Sequence, residues 1–483
     1  MLKWLGTTDF IIVGIITATL LVSITTLADP IHDAALEGNL AKVKRLMTDG
    51  TDCNTRDTKG LTALHHAALH GHLPIVKYLM STDIYPEPDG RTCMTPLHCA
   101  ALNGYLNIVK FFISQGVNVN SPEFTGCGTA LFLAAGRGFR DVVRLLLQDG
   151  AQVDTQRMDG FTPLLISAQG GHTAIVQLLI TEQAEINHQD RQGRAAIHLA
   201  SENGHLPIVE NLLSSGASVD IENEIGMTAI HYAALGGHPA IVKLLISKGA
   251  DCNIISEDTL SPLLRATQKG HTDIVELLIS HDADYNVVDQ FEQSPLHWAA
   301  IKGHFDVVQL LLSLGIDINK RNEHGHTPLH DAILFNHPRI AKLLLRKGAD
   351  IYILDNERES TLHKSASIGH EELVSILLAK GMQINNKNKY GQTPLHKAAE
   401  AGKLNVVEML IANGAQVDVS DSIGATALHR AVCKGRRDVI TFLVKKGANI
   451  NAVDKFKKTP LKYAKIFGNP KLEKLIQRLG GHE

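Results

Sequence analysis

With 483 residues, 47 Lys and Arg against 50 Asp and Glu, and a formal net charge of -3, the chain is close to electrical balance. That balance is uneven along its length, because residues 426–483 hold fourteen basic and four acidic residues whereas residues 29–425 hold 32 and 45. The acidic bulk argues against nucleic acid as a partner, and the length, which would ordinarily mean about three domains, is taken up instead by a repetition that begins at residue 29.

Residues 1–28 stand apart as a hydrophobic N-terminal segment. Phe10 to Ala28 is nineteen residues without a charge, rich in Ile, Leu and Val, behind a short stretch carrying Lys3. That length just spans a bilayer and exceeds the usual signal-peptide core, which favours a membrane anchor with the repeats on the cytoplasmic side. Thr26-Leu27-Ala28 fits a small-residue cleavage site, and the first repeat starts at Asp29 with no spacer, which favours a signal peptide and an exported chain. A third reading, an apolar cap on the first repeat, runs against the polar ends usual in repeat arrays. The sequence has no Asn-x-Ser/Thr acceptor, which weakly opposes passage through a glycosylating lumen.

From Asp29 onward an eleven-residue motif recurs, plainest as Ser294-Pro295-Leu296-His297-Trp298-Ala299-Ala300-Ile301-Lys302-Gly303-His304. Its first position falls at residues 29, 62, 95, 129, 162, 195, 228, 261, 294, 327, 360, 393, 426 and 459, a step of 33 broken once by 34. Thirteen of the fourteen first positions are Thr, Ser or Asp, which cap a helix N-terminus, and proline follows in eight, where its missing N–H costs nothing. A helix of about two turns therefore starts there and ends at the glycine found at position ten in thirteen copies, with Asn336 the exception. A second amphipathic helix follows, as in Ile75, Val76, Leu79 and Met80, and stops at another glycine in eleven copies. An extended segment and an Asp-x-x-Gly turn, as in Asp57 to Gly60, complete the unit. Neither helix is long enough to stand alone, so each unit must bury its apolar face on its neighbours.

Two loops depart from the pattern. Tyr85-Pro86-Glu87-Pro88 replaces the glycine and extended segment of the second repeat, and the extra residue of the 34-residue step lies near Ser121 to Cys127. Of six cysteines, Cys53 and Cys252 occupy a valine position and Cys99 and Cys433 lie in first helices. Only Cys93 and Cys127, in successive loops, invite a disulfide, across a spacing that ordinarily exceeds the roughly 7 Å limit between Cα atoms.

Catalytic and cofactor motifs are missing from the sequence: there is no Gly-x-Ser-x-Gly, His-Glu-x-x-His, phosphate-binding Gly-x-x-x-x-Gly-Lys or Cys-x-x-Cys. Eighteen of the 25 histidines fall at the fourth or eleventh repeat position, such as His198, His231, His297, His330 and His396. Spaced a repeat apart, about 10 Å, they cannot share a zinc ion whose ligands sit near 2 Å from it. No catalytic residue, metal site or cofactor is expected.

The period together with Thr-Pro-Leu-His-x-Ala-Ala-x-x-Gly-His resembles the ankyrin-repeat family over residues 29–483. The resemblance implies an all-α repeat, a solenoid of stacked helix-turn-helix units with hairpin-like loops, in about fourteen repeats. It implies that the fourth-position histidine hydrogen-bonds the loop backbone. Phe132, Leu165, Leu264 and Lys462 replace that histidine, so their loops should be less stiff. It also implies a non-catalytic protein-interaction scaffold that takes protein partners on the concave face lined by loop tips and first helices. A membrane-tethered organiser, or a regulatory subunit that recruits an enzyme, is the alternative.

On that face the expected partner-binding residues are Leu36, Leu69, Leu102, Leu235 and Ile301 at the eighth position, and Leu61, Met94, Phe161, Met227 and Leu260 immediately before the cap. Packing between repeats is the competing reading for all ten. The basic C-terminal repeats read either as a solvated end or as a contact for an acidic partner or a membrane surface.

Overall fold

The computed structural model describes residues 29–82, 94–121, 126 and 128–482. The apolar segment from Phe10 to Ala28, the Tyr85–Pro88 loop, most of the Ser121–Cys127 loop and the Cys93–Cys127 pair lie outside the described residues. Among those described there are 28 helices and no strand, arranged as fourteen consecutive pairs. None of these helices is long and apolar enough to cross a membrane. The contacts divide the array into two compact units, residues 29–200 with 207–218 and residues 201–206 with 219–482.

The helix boundaries follow from the caps. In the ninth repeat Ser294 sits in extended backbone and its hydroxyl accepts the N–H of His297, opening Pro295–Lys302. Gly303, at φ 82°, closes that helix, and Phe305–Ser313 follows at once. The tenth repeat has Asn336 where glycine is usual, and it too takes a left-handed φ of 65°, which asparagine tolerates better than most residues. Gln183 and Asp282 do the same at the end of second helices that lack glycine, with φ 64° and 65°.

Within each unit, first helices pack on the first helices of neighbouring repeats more closely than second helices do. The small residues at positions six and seven explain this: Ala67, Ala68, Ala233, Ala234, Ala299 and Ala300 are wholly buried and let backbones approach. The second helices contribute a narrower stripe. Ile75, Val76 and Leu79 are buried, whereas Met80 is half-buried at its edge. Truncating one such buried leucine to alanine should cost roughly 2–5 kcal/mol.

Candidate interaction surface

Ten of the fourteen first helices carry a buried histidine at position four. In the ninth repeat Nδ1 of His297 accepts the N–H of Ser294 at 3.2 Å and lies 2.7 Å from its hydroxyl, while Nε2 lies 3.1 Å from the carbonyl of His326 in the next repeat. A backbone amide can only donate and a carbonyl can only accept, so the ring is neutral with its proton on Nε2. The same pair of bonds is made by His65, His231, His363, His396 and His429. The resemblance therefore predicts this role correctly. Burial pushes His65, His98, His231 and His396 down to about 4 and His330 to about 3, outweighing the opposite pull of the carbonyls that His65, His231 and His396 bond.

The eleventh-position histidine does a second job, reaching back to the preceding repeat. Nε2 of His72, His172, His238, His271, His304 and His337 bonds the carbonyl of residue 36, 136, 202, 235, 268 and 301 respectively, at 2.9 to 3.3 Å. Each of those carbonyls belongs to the last turn of a first helix and has no partner within it. Several of these rings also lie against a glycine of the repeat before. A Cβ on Gly303 would stand 2.5 Å from Cε1 of His337, so glycine is required there by space as well as by its φ of 82°. With both histidine sets occupied by backbone, the regular spacing serves packing rather than metal coordination.

The hairpin-like loops are built on an Asx turn. Asp289 accepts the N–H groups of Phe291 and Gln293, each at 2.9 Å, and Asp57, Asp190, Asn223, Asn322, Asp355, Asn388, Asp421 and Asp454 repeat the arrangement. Successive turns are also joined main chain to main chain: Glu323 donates to the carbonyl of Phe291, Asn356 to His324, Lys389 to Glu357, Ser422 to Tyr390 and Lys455 to Ile423. These tip residues thus spend their carbonyls on the scaffold, and the side chains of Phe291, His324 and Tyr390 remain exposed, although the Tyr390 hydroxyl donates to Glu357.

A further tie joins several of the turns to position five of the helix nine residues later. Asp289 accepts the indole N–H of Trp298 at 2.9 Å, Asp57 faces His66, Asp421 pairs with Arg430, and Asp454 accepts the hydroxyl of Tyr463 at 2.6 Å. Where the turn residue is asparagine the roles reverse, and the amide of Asn223 donates to the hydroxyl of Tyr232 at 2.9 Å. The nine-residue spacing between an Asp and a donor is legible in the sequence once the turn is recognised.

In repeats ten to twelve these positions condense into a buried ionic network. His326 lies 3.0 Å from Asp331 and 3.5 Å from Asp355, Lys364 bridges Asp355 and Glu359 at 2.8 and 2.9 Å, and Lys397 completes Glu359 at 2.8 Å. Burial alone would lower His326, but the two carboxylates outweigh it and raise the imidazole to about 9. Burial likewise opposes ionisation of Glu359, and the two lysines override it to bring the carboxyl down to about 2. The network borders a shallow cleft of about 260 Å³ that also takes in His324, Asn356, Glu357 and Lys389.

Large apolar side chains reach solvent in a pattern that the repeat motif does not signal. Ile225, Phe291, Tyr390 and Phe456 occupy equivalent tips, and Phe291 and Phe456 are 45% and 61% exposed. The ten residues expected to bind partners divide. Leu61, Met94, Leu102, Phe161, Met227 and Leu260 are 5 to 9% exposed and belong to the packing. Leu69, Leu235 and Ile301 are half-buried, and Leu36 is 43% exposed. At the position before the cap, then, the competing packing reading describes where the side chains go, because that residue tucks beneath the start of the first helix.

A tandem array of short helix pairs, tied by side chain to backbone across repeats and displaying variable loop tips, defines a helical-repeat protein. The family described as ankyrin repeats (three copies) matches residues 31–123, 121–190, 197–289, 263–355, 347–421 and 411–481. The chain belongs to the ankyrin-repeat family, whose repeats are in general protein-interaction modules and typically not enzymes. No curated protein matches it.

Proposed function

We propose that the chain is a protein-binding scaffold whose partner lies across the hairpin tips and the outer ends of the first helices, the face called concave in such arrays. The observation that carries this reading is the placement of Phe291 and Tyr390 at tips whose backbone is already satisfied. Both rings stay exposed, Tyr390 even though its hydroxyl donates to Glu357, and desolvated aromatic side chains are the commonest anchors of protein interfaces. Within the second unit Leu235 and Ile301 extend this face as half-accessible apolar contacts, and Phe335, 48% exposed at a ninth position, joins them; Leu36 and Leu69 hold the equivalent position in the first unit.

Site-specific photocrosslinking tests this. A crosslinkable residue at 291 or 390 should yield protein adducts that a crosslinker on the second-helix surface, at Lys243 or Glu276, does not. Adducts confined to the second-helix sites, or none at the tips, would overturn the proposal.

A further inference from the structure

The fourteenth repeat differs from those before it in both charge and exposed apolar surface. Its hairpin presents Lys455, Phe456 and Lys457, and its first helix, Pro460–Ile466, presents Lys462 and Ile466 one turn apart on one face. Position four, a buried histidine in ten repeats and a buried Phe or Leu in three, is here a solvent-exposed lysine. Ile466 and Phe467 are 54% and 57% exposed, and Phe456 is 61%.

Several lysines of the preceding repeats find acids, as Lys342 does with Glu372, Lys364 with Asp355 and Glu359, and Lys389 with Glu357. Lys457, Lys462, Lys471 and Lys474 make no ion pair with any described residue. A purely solvated surface would supply the lysines and omit the isoleucine and two phenylalanines.

We propose that this surface docks an acidic, apolar-bearing segment of a partner protein, its carboxylates set against Lys457 and Lys462 and its apolar side chains against Phe456, Ile466 and Phe467. Charge complementarity fixes the sign of the partner, since residues 426–483 carry fourteen basic against four acidic residues. The form of the apolar groups selects protein over lipid. The Phe467 ring is nearly parallel to that of Tyr463, 16° apart with centroids at 6.3 Å, and Tyr463 is itself held by Asp454. Phe467 is therefore a platform that a partner side chain can cover, and not a wedge aimed outward for insertion in a bilayer. The Lys462–Ile466 step of four residues matches a helix or turn with acid and apolar groups at the same spacing.

The test is selection of a random twelve-residue peptide library on the full chain and on its Lys457→Glu, Lys462→Glu, Phe467→Ser variant. All three substitutions are at exposed positions, and an unchanged circular-dichroism melt confirms that the fold persists. The full chain should enrich peptides bearing several Asp or Glu together with Leu, Ile or Phe. Their affinity should fall at least tenfold in the variant, as two reversed ion pairs and a lost apolar contact require. It should remain unchanged in Phe291→Ser, Tyr390→Ser, which keeps this result separate from the hairpin-tip reading. Enriched peptides without acids, or equal binding to the variant, would overturn the proposal. So would stronger dependence on these three residues in sedimentation with vesicles containing phosphatidylserine, or in binding to duplex DNA, than in peptide binding.

Discussion

Lowering the pH from 7 to 5 should unfold this array through the histidines that hold it together. His231, His330 and His396 of the second unit are held at about 4, 3 and 4 in the folded chain, against 6.5 when unfolded. Because the folded pKa is depressed, the unfolded chain binds more protons below 6.5, and stability falls as pH drops toward the folded values. At pH 5 each such histidine withdraws about 2 kcal/mol. His326 acts in the opposite sense. Its folded value, raised to about 9, gives it a contribution fully present below 6.5, so it returns about 1 kcal/mol over the same interval. The net loss in this unit is about 5 kcal/mol, a large part of the stability of an ordinary domain. Trp298, whose indole bonds Asp289, reports locally on this unit in a Trp4→Phe background. Urea titrations of its fluorescence at pH 7 and pH 5 should show a large drop in midpoint, diminished by about 2 kcal/mol in His396→Asn. An unchanged midpoint between the two pH values would refute the assignment of these rings as neutral and buried.

The alkaline side gives a second check, because stability supplied by His326 is lost as pH rises through about 9. Between pH 7 and pH 9 the Trp298 midpoint should fall by about 2 kcal/mol, and His326→Gln should abolish that slope. Gly303→Ala should destabilise by about 2 kcal/mol or more, since it combines a left-handed backbone with a Cβ pressed on His337, measured by the same titration. Conversely, Glu292 and Arg358 hold φ of 58° and 57° at the turn position usually filled by glycine, and either residue replaced by glycine should gain about 0.5–1 kcal/mol in thermal unfolding. Mass measurement of the mature N-terminus addresses residues 1–28: we expect an intact start in the membrane fraction, and a chain beginning at Asp29 would establish export instead.

The repeat architecture was legible because three independent signals coincide every 33 residues: a capping Thr or Ser, a glycine ten residues in, and an apolar stripe between. Even exceptions such as Asn336 keep the left-handed conformation that the glycine marks. The partner face was less legible. A leucine before the cap, such as Leu61 or Leu260, has the composition of a contact residue, and only the depth at which the loop enters the first helix shows that it is buried. The ionic network was hidden for a related reason. His326, Asp331, Asp355, Glu359 and Lys364 are scattered over 39 residues, and they meet because position five of a first helix faces the turn and the residue before the cap that lead into that helix, while His326 also reaches the next turn.

Specificity in such an array must reside where the scaffold makes no demand on the side chain. Cap, fourth and eleventh positions are each committed to backbone groups, and substitution there changes stability before it changes recognition. The turn tips are under the reverse condition. The carbonyls of Asp159, Ile225, Phe291, His324, Glu357, Tyr390 and Ile423 join the loop-to-loop ladder, while the tip side chains run Lys59, Asp159, Gln192, Ile225, Asp258, Phe291, His324, Glu357, Tyr390, Ile423 and Phe456, nearly every chemical class in turn. Exchanging two tips, as in Phe291→Glu with Glu357→Phe, should therefore leave the urea midpoint within about 0.5 kcal/mol of the parent, as surface substitutions do. The same exchange should move the position at which a partner crosslinks. A midpoint shift of several kcal/mol would mean that the tips are part of the packing, and the division between a fixed frame and a free reading edge would fail.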